Sequence, residues 1–277
     1  MSDWFVSTEW LASHLKSPDV AIVDASWYLP TAGRDAHAEY LASHLPGAVF
    51  FDIDAIADRT TSLPHMLPAP ADFARAVGAL GISDQMTIVV YDEQGLFSAP
   101  RVRWSFAAMG AGRVRILAGG GARWRAEHRP LQQGATVHAP AHFNARLNPA
   151  IVASFATVDT RRRHGDATIV DARPASRFYG TEPEPRPGLK SGHVPGSLNV
   201  PVSLLSANGE MRPASELRTI FADAGVRLDH PLITTCGSGV TASTLALALQ
   251  IAGANKVAVY DGSWAEWGSR PDAEIES

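Results

Sequence analysis

The stretch Thr234-Thr235-Cys236-Gly237-Ser238-Gly239-Val240-Thr241-Ala242 holds the only cysteine of the chain. The run before it, Pro231 to Thr235, is short, apolar and rich in β-branched residues, which predicts a buried strand. The run after it, Thr241 to Ala252, has helix length and carries apolar residues at Ala242, Leu245, Ala246 and Leu249, which predicts a buried helix ended by Gly253. Cys236 is thereby expected in the turn between a strand and a helix. The first amides of a helix lack internal partners and carry the positive end of its dipole. A thiol in that field ionises more readily, and Gly237 and Gly239 allow the backbone to curl and aim several N–H groups at it. A buried structural cysteine is the plain alternative, but it would need no glycines around it.

Working outward, the same pattern occurs earlier in the chain. Ala21-Ile22-Val23-Asp24-Ala25 matches Thr168-Ile169-Val170-Asp171-Ala172, and His44-Leu45-Pro46-Gly47 matches His193-Val194-Pro195-Gly196. Ile88 to Asp92 matches Leu232 to Cys236, and the run ending in Trp124 matches the run ending in Trp267. The order is kept and the spacing is nearly constant, so the chain reads as two copies of one α/β unit. Short apolar strands alternate with helical runs in each, which predicts parallel sheets covered by helices. The boundaries expected are 1–135 for the first domain, 136–149 for a Pro- and Asn-rich linker, and 150–277 for the second. The first copy has Asp92 where the second has Cys236. Asp92 and Glu93 at the turn would repel an anion, so only the second copy is expected to do the chemistry.

The loop Cys236-Gly237-Ser238-Gly239-Val240-Thr241 resembles the active-site loop of the rhodanese superfamily. More narrowly, it is similar to the branch that takes sulfur from 3-mercaptopyruvate. Thiosulfate-using relatives usually carry basic residues after the cysteine, where Gly237 and Ser238 stand here. The stretch Arg177-Phe178-Tyr179-Gly180-Thr181-Glu182-Pro183-Glu184-Pro185-Arg186 resembles the same branch, and the resemblance implies that Arg177 and Arg186 hold a substrate carboxylate. Chemistry agrees, because a 2-oxo acid needs a cation and a guanidinium fork fits a carboxylate. Ion pairing of these arginines with Glu182 or Glu184 is the alternative. Arg173, His44 and His193 read as structural. The resemblance further implies a relay of Asp54, His65 and Ser238, bringing first-domain residues to the second-domain cysteine, with Gly237, Gly239, Val240 and Thr241 lining the substrate site.

The implied activity is sulfur transfer through a Cys236 persulfide to a thiol such as thioredoxin, or to cyanide. No cofactor is expected, and no metal: Pro140 separates His138 from His142 and breaks a helical ligand pair. A cysteine phosphatase would need Arg six residues after the cysteine, and Ala242 stands there. Thiosulfate sulfur transfer and a non-catalytic binding module remain as rivals. The 277 residues are 45% hydrophobic and 19% charged, with a net charge of −4, which gives no nucleic-acid signature. No run is long and apolar enough for a membrane, Met1 to Val6 does not read as a secretory signal, and one cysteine suits a reducing, cytoplasmic setting.

Overall fold

A computed structural model describes residues 4–277; the first three residues of the Met1 to Val6 run, read as no secretory signal, lie outside them. The chain forms two compact units. The first runs through Asp58 and adds Leu67–Asn148 and Asn208–Glu210; the second contains Arg59–Met66, Pro149–Ala207 and Met211–Ser277.

In the first unit the order is β1 (Phe5–Val6), α1 (Thr8–His14), β2 (Val20–Asp24), α2 (Ala36–Ala42), β3 (Val49–Phe50), α3 (Pro70–Ala79), β4 (Thr87–Tyr91), α4 (Ala99–Ala108), β5 (Val114–Leu117) and α5 (Gly120–Ala126). The second unit contains β6 (Val152–Ala153), α6 (Phe155–His164), β7 (Thr168–Asp171), α7 (Ala175–Phe178) and β8 (Leu198–Asn199). A small hairpin of β9 (Ser206–Ala207) and β10 (Glu210–Met211) comes next, then α8 (Ala214–Asp223), β11 (Leu232–Thr235), α9 (Val240–Ala252), β12 (Val257–Tyr260) and α10 (Ser263–Trp267).

Each unit has a five-stranded sheet, ordered β1-β5-β4-β2-β3 and β6-β12-β11-β7-β8. All pairings within both sheets are parallel. The two orders are the same, as a duplicated unit requires. Burial explains the strand composition. Ile88 to Tyr91 are all inaccessible, as are nearly all residues of β11, because helices cover both faces. Trp124 and Trp267 sit at equivalent points, fully buried, and each donates its indole N–H to a carbonyl oxygen at 2.8 Å, Pro130 and Glu274 respectively. His44 and His193 are also equivalent. Each is buried and stacks on an aromatic ring, Tyr40 or Phe178, with Nδ1 against that residue's carbonyl oxygen. These two histidines are structural, as read.

The Pro- and Asn-rich segment after α5 has no helix or strand, yet it is not loose. Ala141 N–H donates to Gly78, Arg146 to Met109 and Asn148 to Ala108, and Phe143 is buried against Phe73 and Phe106. It straps the first unit.

The register sets the turns that matter. Asp24 pairs with Tyr91 across β2 and β4, and Asp171 with Thr235 across β7 and β11, so equivalent strand ends lie side by side. Asp92 follows β4 directly. Its Oδ2 accepts hydrogen bonds from the amides of Phe97, Ser98 and Ala99 at 3.0, 2.9 and 2.7 Å. Repulsion of an anion is therefore only half of the matter: the turn is an anion cradle, and Asp92 fills it. Burial pushes the Asp92 carboxyl up, while the amide bonds pull it down and lose.

Removing the carboxylate should strand these amides. Asp92→Ala is expected to cost about 2–4 kcal/mol in a denaturant titration, with kcat unchanged at 20 °C. A folded-state pKa above the unfolded value of about 4 means that Asp92 favours folding at low pH and loses that advantage as pH rises through the folded value. The stability gap between wild type and Asp92→Asn should accordingly shrink from pH 4 upward; a widening gap would show that the amides outweigh burial.

Candidate active site

Cys236 follows β11 as Asp92 follows β4, and it is a free, buried thiol, 2% exposed. The turn from Cys236 to Gly239 is held from outside by α10. Ser263 Oγ accepts the Cys236 N–H at 3.2 Å, Trp264 N–H donates to the Cys236 carbonyl at 2.9 Å, and Ala265 N–H donates to Gly237 at 2.9 Å. Ser263 itself has φ 49°, an unusual backbone for a residue with a side chain, and its hydroxyl is fixed by donating to Tyr260.

Gly239 caps α9 with φ 81°, the left-handed conformation that favours glycine. Gly237 does not have that conformation, so its glycine has another reason. A methyl group built on Gly237 would come within 3.2 Å of Nη2 of Arg177 and 3.8 Å of Nη1 of Arg186. The two arginines singled out from the sequence thus converge on the residue next to the thiol, and an absent side chain makes the room.

The amides of Ser238, Gly239 and Val240 occupy the positions, counted from the helix start, that hold Asp92 in the first unit. Among the described residues they donate to no group, and the Cys236 sulfur accepts no hydrogen bond. The sequence reading allowed these N–H groups either the sulfur itself or an anion attached to it. Asp92 Oδ2 lies two bonds beyond its Cβ, whereas Sγ lies one. Thr241 follows Val240 in the first turn of α9, and Ser243 Oγ donates to the Gly239 carbonyl at 3.0 Å, fixing the cap.

Arg177 and Glu184 do pair, through Arg177 Nη2 on Glu184 Oε2 and Nε on Oε1 at 3.2 Å. The pairing coexists with the approach to Gly237, so the two readings of Arg177 were not exclusive. Arg173 is structural as read: it is 1% exposed, donates to Asp171 at 2.7 Å, to Glu184 at 2.7 Å and to the Gly192 carbonyl at 2.8 Å, and lies over the Trp264 ring at 4.2 Å. Burial opposes its charge, but Asp171 and Glu184 prevail and hold its pKa above the ordinary guanidinium value.

The remaining implied residues are Ser238, His65 and Asp54. Ser238 is buried, and its hydroxyl makes no hydrogen bond among the described residues. His65 is buried, has φ 61° and clusters with the second unit. Asp54 belongs to the first unit and accepts the Trp27 indole N–H at 2.9 Å. Sequence reasoning missed Ser263, Trp264 and the bridging role of Glu184. The repeat could have pointed to the first two, since they stand just before the matched Trp267.

The rhodanese-like domain model matches residues 7–127 and again 154–270. This chain belongs to the rhodanese family. Among its relatives, 3-mercaptopyruvate sulfurtransferase of Escherichia coli is 46% identical over 274 residues, spanning 99% of this chain and 98% of that protein. The crystal structure of an Escherichia coli 3-mercaptopyruvate sulfurtransferase superposes with a TM-score of 0.88 at 44% identity, covering 95% and 99% of the two chains. Rat thiosulfate sulfurtransferase is 43% identical over 277 residues, covering 97% of this chain and 93% of that one. Membership of the rhodanese family is thus secure, while the choice of sulfur donor turns on the loop and the arginines.

The crowding at Gly237 gives a graded test. Gly237→Ala meets only the end of a flexible side chain and should weaken binding of a small 2-oxo acid a few-fold at most. Gly237→Leu should weaken it on the order of tenfold or more, because the guanidinium must leave. Calorimetric titration with pyruvate reads both; equal affinities would mean that Arg177 does not bind over this loop.

Proposed function

We propose that this protein is a 3-mercaptopyruvate sulfurtransferase acting through a persulfide on Cys236. The observation that carries the reading is the convergence of Arg177 and Arg186 on Gly237, beside the only thiol of the chain. The two guanidinium groups hold the donor's carboxylate and carbonyl. The Cys236 thiolate attacks the donor sulfur. An S–S bond forms, the C–S bond breaks, and its electron pair leaves in the enolate of pyruvate, whose charge the guanidinium groups counter. The enolate takes a proton and departs as pyruvate. The outer sulfur of the persulfide then occupies the cradle of the Ser238, Gly239 and Val240 amides, as the Asp92 carboxylate occupies its own.

Ser238, His65 and Asp54 move the protons in this reading. The free Ser238 hydroxyl and the burial of His65 are what support them. Imidazole exchanges protons near neutral pH, and a carboxylate can fix its tautomer. With no second cysteine, the accepting thiol comes from another molecule, thioredoxin or a small thiol, with cyanide as an alternative acceptor. The setting is the reducing cytoplasm. Among the described residues no helix is long and apolar enough to cross a membrane. Thiosulfate is a poorer fit, since a dianion would call for cations on the loop where Gly237 and Ser238 stand.

The test is kcat/KM for 3-mercaptopyruvate and for thiosulfate, measured in parallel on wild type and Cys236→Ser. Preference for 3-mercaptopyruvate should be on the order of tenfold or more, and both activities should vanish in the variant. Preference for thiosulfate would overturn the donor assignment, and turnover by Cys236→Ser would overturn the mechanism.

A further inference from the structure

The arginine that reaches Gly237 does not stand alone. It ends a continuous chain of contacts that begins at the nucleophile's own backbone. Trp264 N–H holds the Cys236 carbonyl, and the Trp264 ring carries the Arg173 guanidinium at 4.2 Å. Arg173 Nη1 donates to Glu184 Oε1 at 2.7 Å, and the same oxygen accepts Arg177 Nε at 3.2 Å. Glu184 Oε2 accepts Nη2 on the same edge of the Arg177 guanidinium, a bidentate grip. The Glu184 side chain is 2% exposed and that of Arg173 1%, whereas Arg177 keeps 21%. Glu184 is thus a buried two-handed clamp, with one hand on a fixed cation and the other on a cation facing the loop. Arg186, in contrast, has no ion pair or hydrogen bond among the described residues.

We infer that Glu184 is the positioning residue of Arg177, transmitting the fixed geometry of Trp264 and Arg173 to the guanidinium that receives the donor. The inference rests on the functional reading above. An arginine side chain gives up much rotamer freedom when it grips a ligand. Here Glu184 has already taken that freedom, so the donor meets a preorganised fork. Glu184 does not touch the reacting atoms.

The sign of the effect separates this role from simple electrostatics. Asp171 and Glu184 pair with Arg173 and Arg177, and Arg186 has no ion pair among the described residues. Neutralising Glu184 raises the local positive charge, which by itself would lower KM for an anionic donor. Loss of positioning raises KM instead.

The experiment is a double-mutant cycle on the full chain with 3-mercaptopyruvate: wild type, Glu184→Gln, Arg177→Ala and the double variant, each with its melting temperature. Glu184→Gln should raise KM roughly tenfold, leave kcat within about twofold, and add nothing once Arg177 is alanine. Glu184→Asp keeps the charge but falls one methylene short; it should lie between wild type and Glu184→Gln, and it replaces Glu184→Gln in the cycle if that variant does not fold. An unchanged or lowered KM in the Glu184 variant, a loss confined to kcat, or a further loss on top of Arg177→Ala would overturn the inference. If wild type does not turn over 3-mercaptopyruvate, or Arg177→Ala matches wild type, it is the functional reading that fails, and the two failures are told apart by those controls.

Discussion

The amides that open α4 and α9 have no partners inside their own helices, and both helices start deep in the protein. Unsatisfied buried donors are costly, so the strand-to-helix turn favours an anion. In the first unit the chain supplies the anion itself, as Asp92. In the second unit Cys236 stands at the same point with a shorter side chain, and the amides of Ser238, Gly239 and Val240 keep their hydrogen-bonding capacity. One constraint thus has two solutions in one molecule. The filled turn shows where an atom attached to the Cys236 sulfur would find its donors.

The duplicated strand ends diverge in the same way. Asp24 and Asp171 hold equivalent positions at the ends of β2 and β7. Asp171 is matched by Arg173, which also caps the Gly192 carbonyl before His193. Asp24 accepts from the Tyr91 hydroxyl and the Ser26 amide rather than from a guanidinium, and burial pushes its carboxyl up to about 6. In the first unit the carbonyl before His44 is capped by Arg125, which reaches in from α5 and pairs with Glu93. Glu93 takes the space that a side chain on Gly121 would need, coming within 2.3 Å of a methyl group there. Gly121 is the counterpart of Trp264 in the repeat. The first unit thus has an ion pair where the second has a tryptophan under an arginine.

The long features were legible in the sequence because they follow from burial. Thr87–Tyr91, Val114–Leu117 and Leu232–Thr235 read as strands because their residues are largely buried and the runs are apolar or β-branched apart from Arg115. The two-residue strands β1 and β6 were not legible, since a pair of residues has no period. Neither was the packing of the Pro-rich strap, which depends on Phe143 meeting Phe73 and Phe106 far back in the chain. At the site, Cys236, Arg177 and Arg186 stood out by residue type and neighbourhood. Glu184 did not, because a carboxylate between two prolines reads as a surface loop. Its burial comes from Arg173, eleven residues earlier, and no local pattern carries that.

The charge count bears on which donor such a site suits. Two of the three arginines near the loop are matched by carboxylates, which leaves one uncompensated positive charge, at Arg186. A 2-oxo acid carries one carboxylate charge before sulfur transfer. During transfer the thiolate charge passes to the enolate, and it returns to the persulfide and its amide cradle only when the enolate takes up the proton of the outer sulfur. In the proposed reaction the guanidinium groups face the carboxylate and the enolate, and the amide cradle faces the persulfide. A dianion such as thiosulfate would bring its two charges at once, before the cradle is in use, and would leave one of them facing Gly237 and Ser238. The absence of a side chain at position 237 and the presence of Glu184 beside Arg177 are then two parts of one arrangement. The glycine admits the forks, and the carboxylate limits how much charge they present.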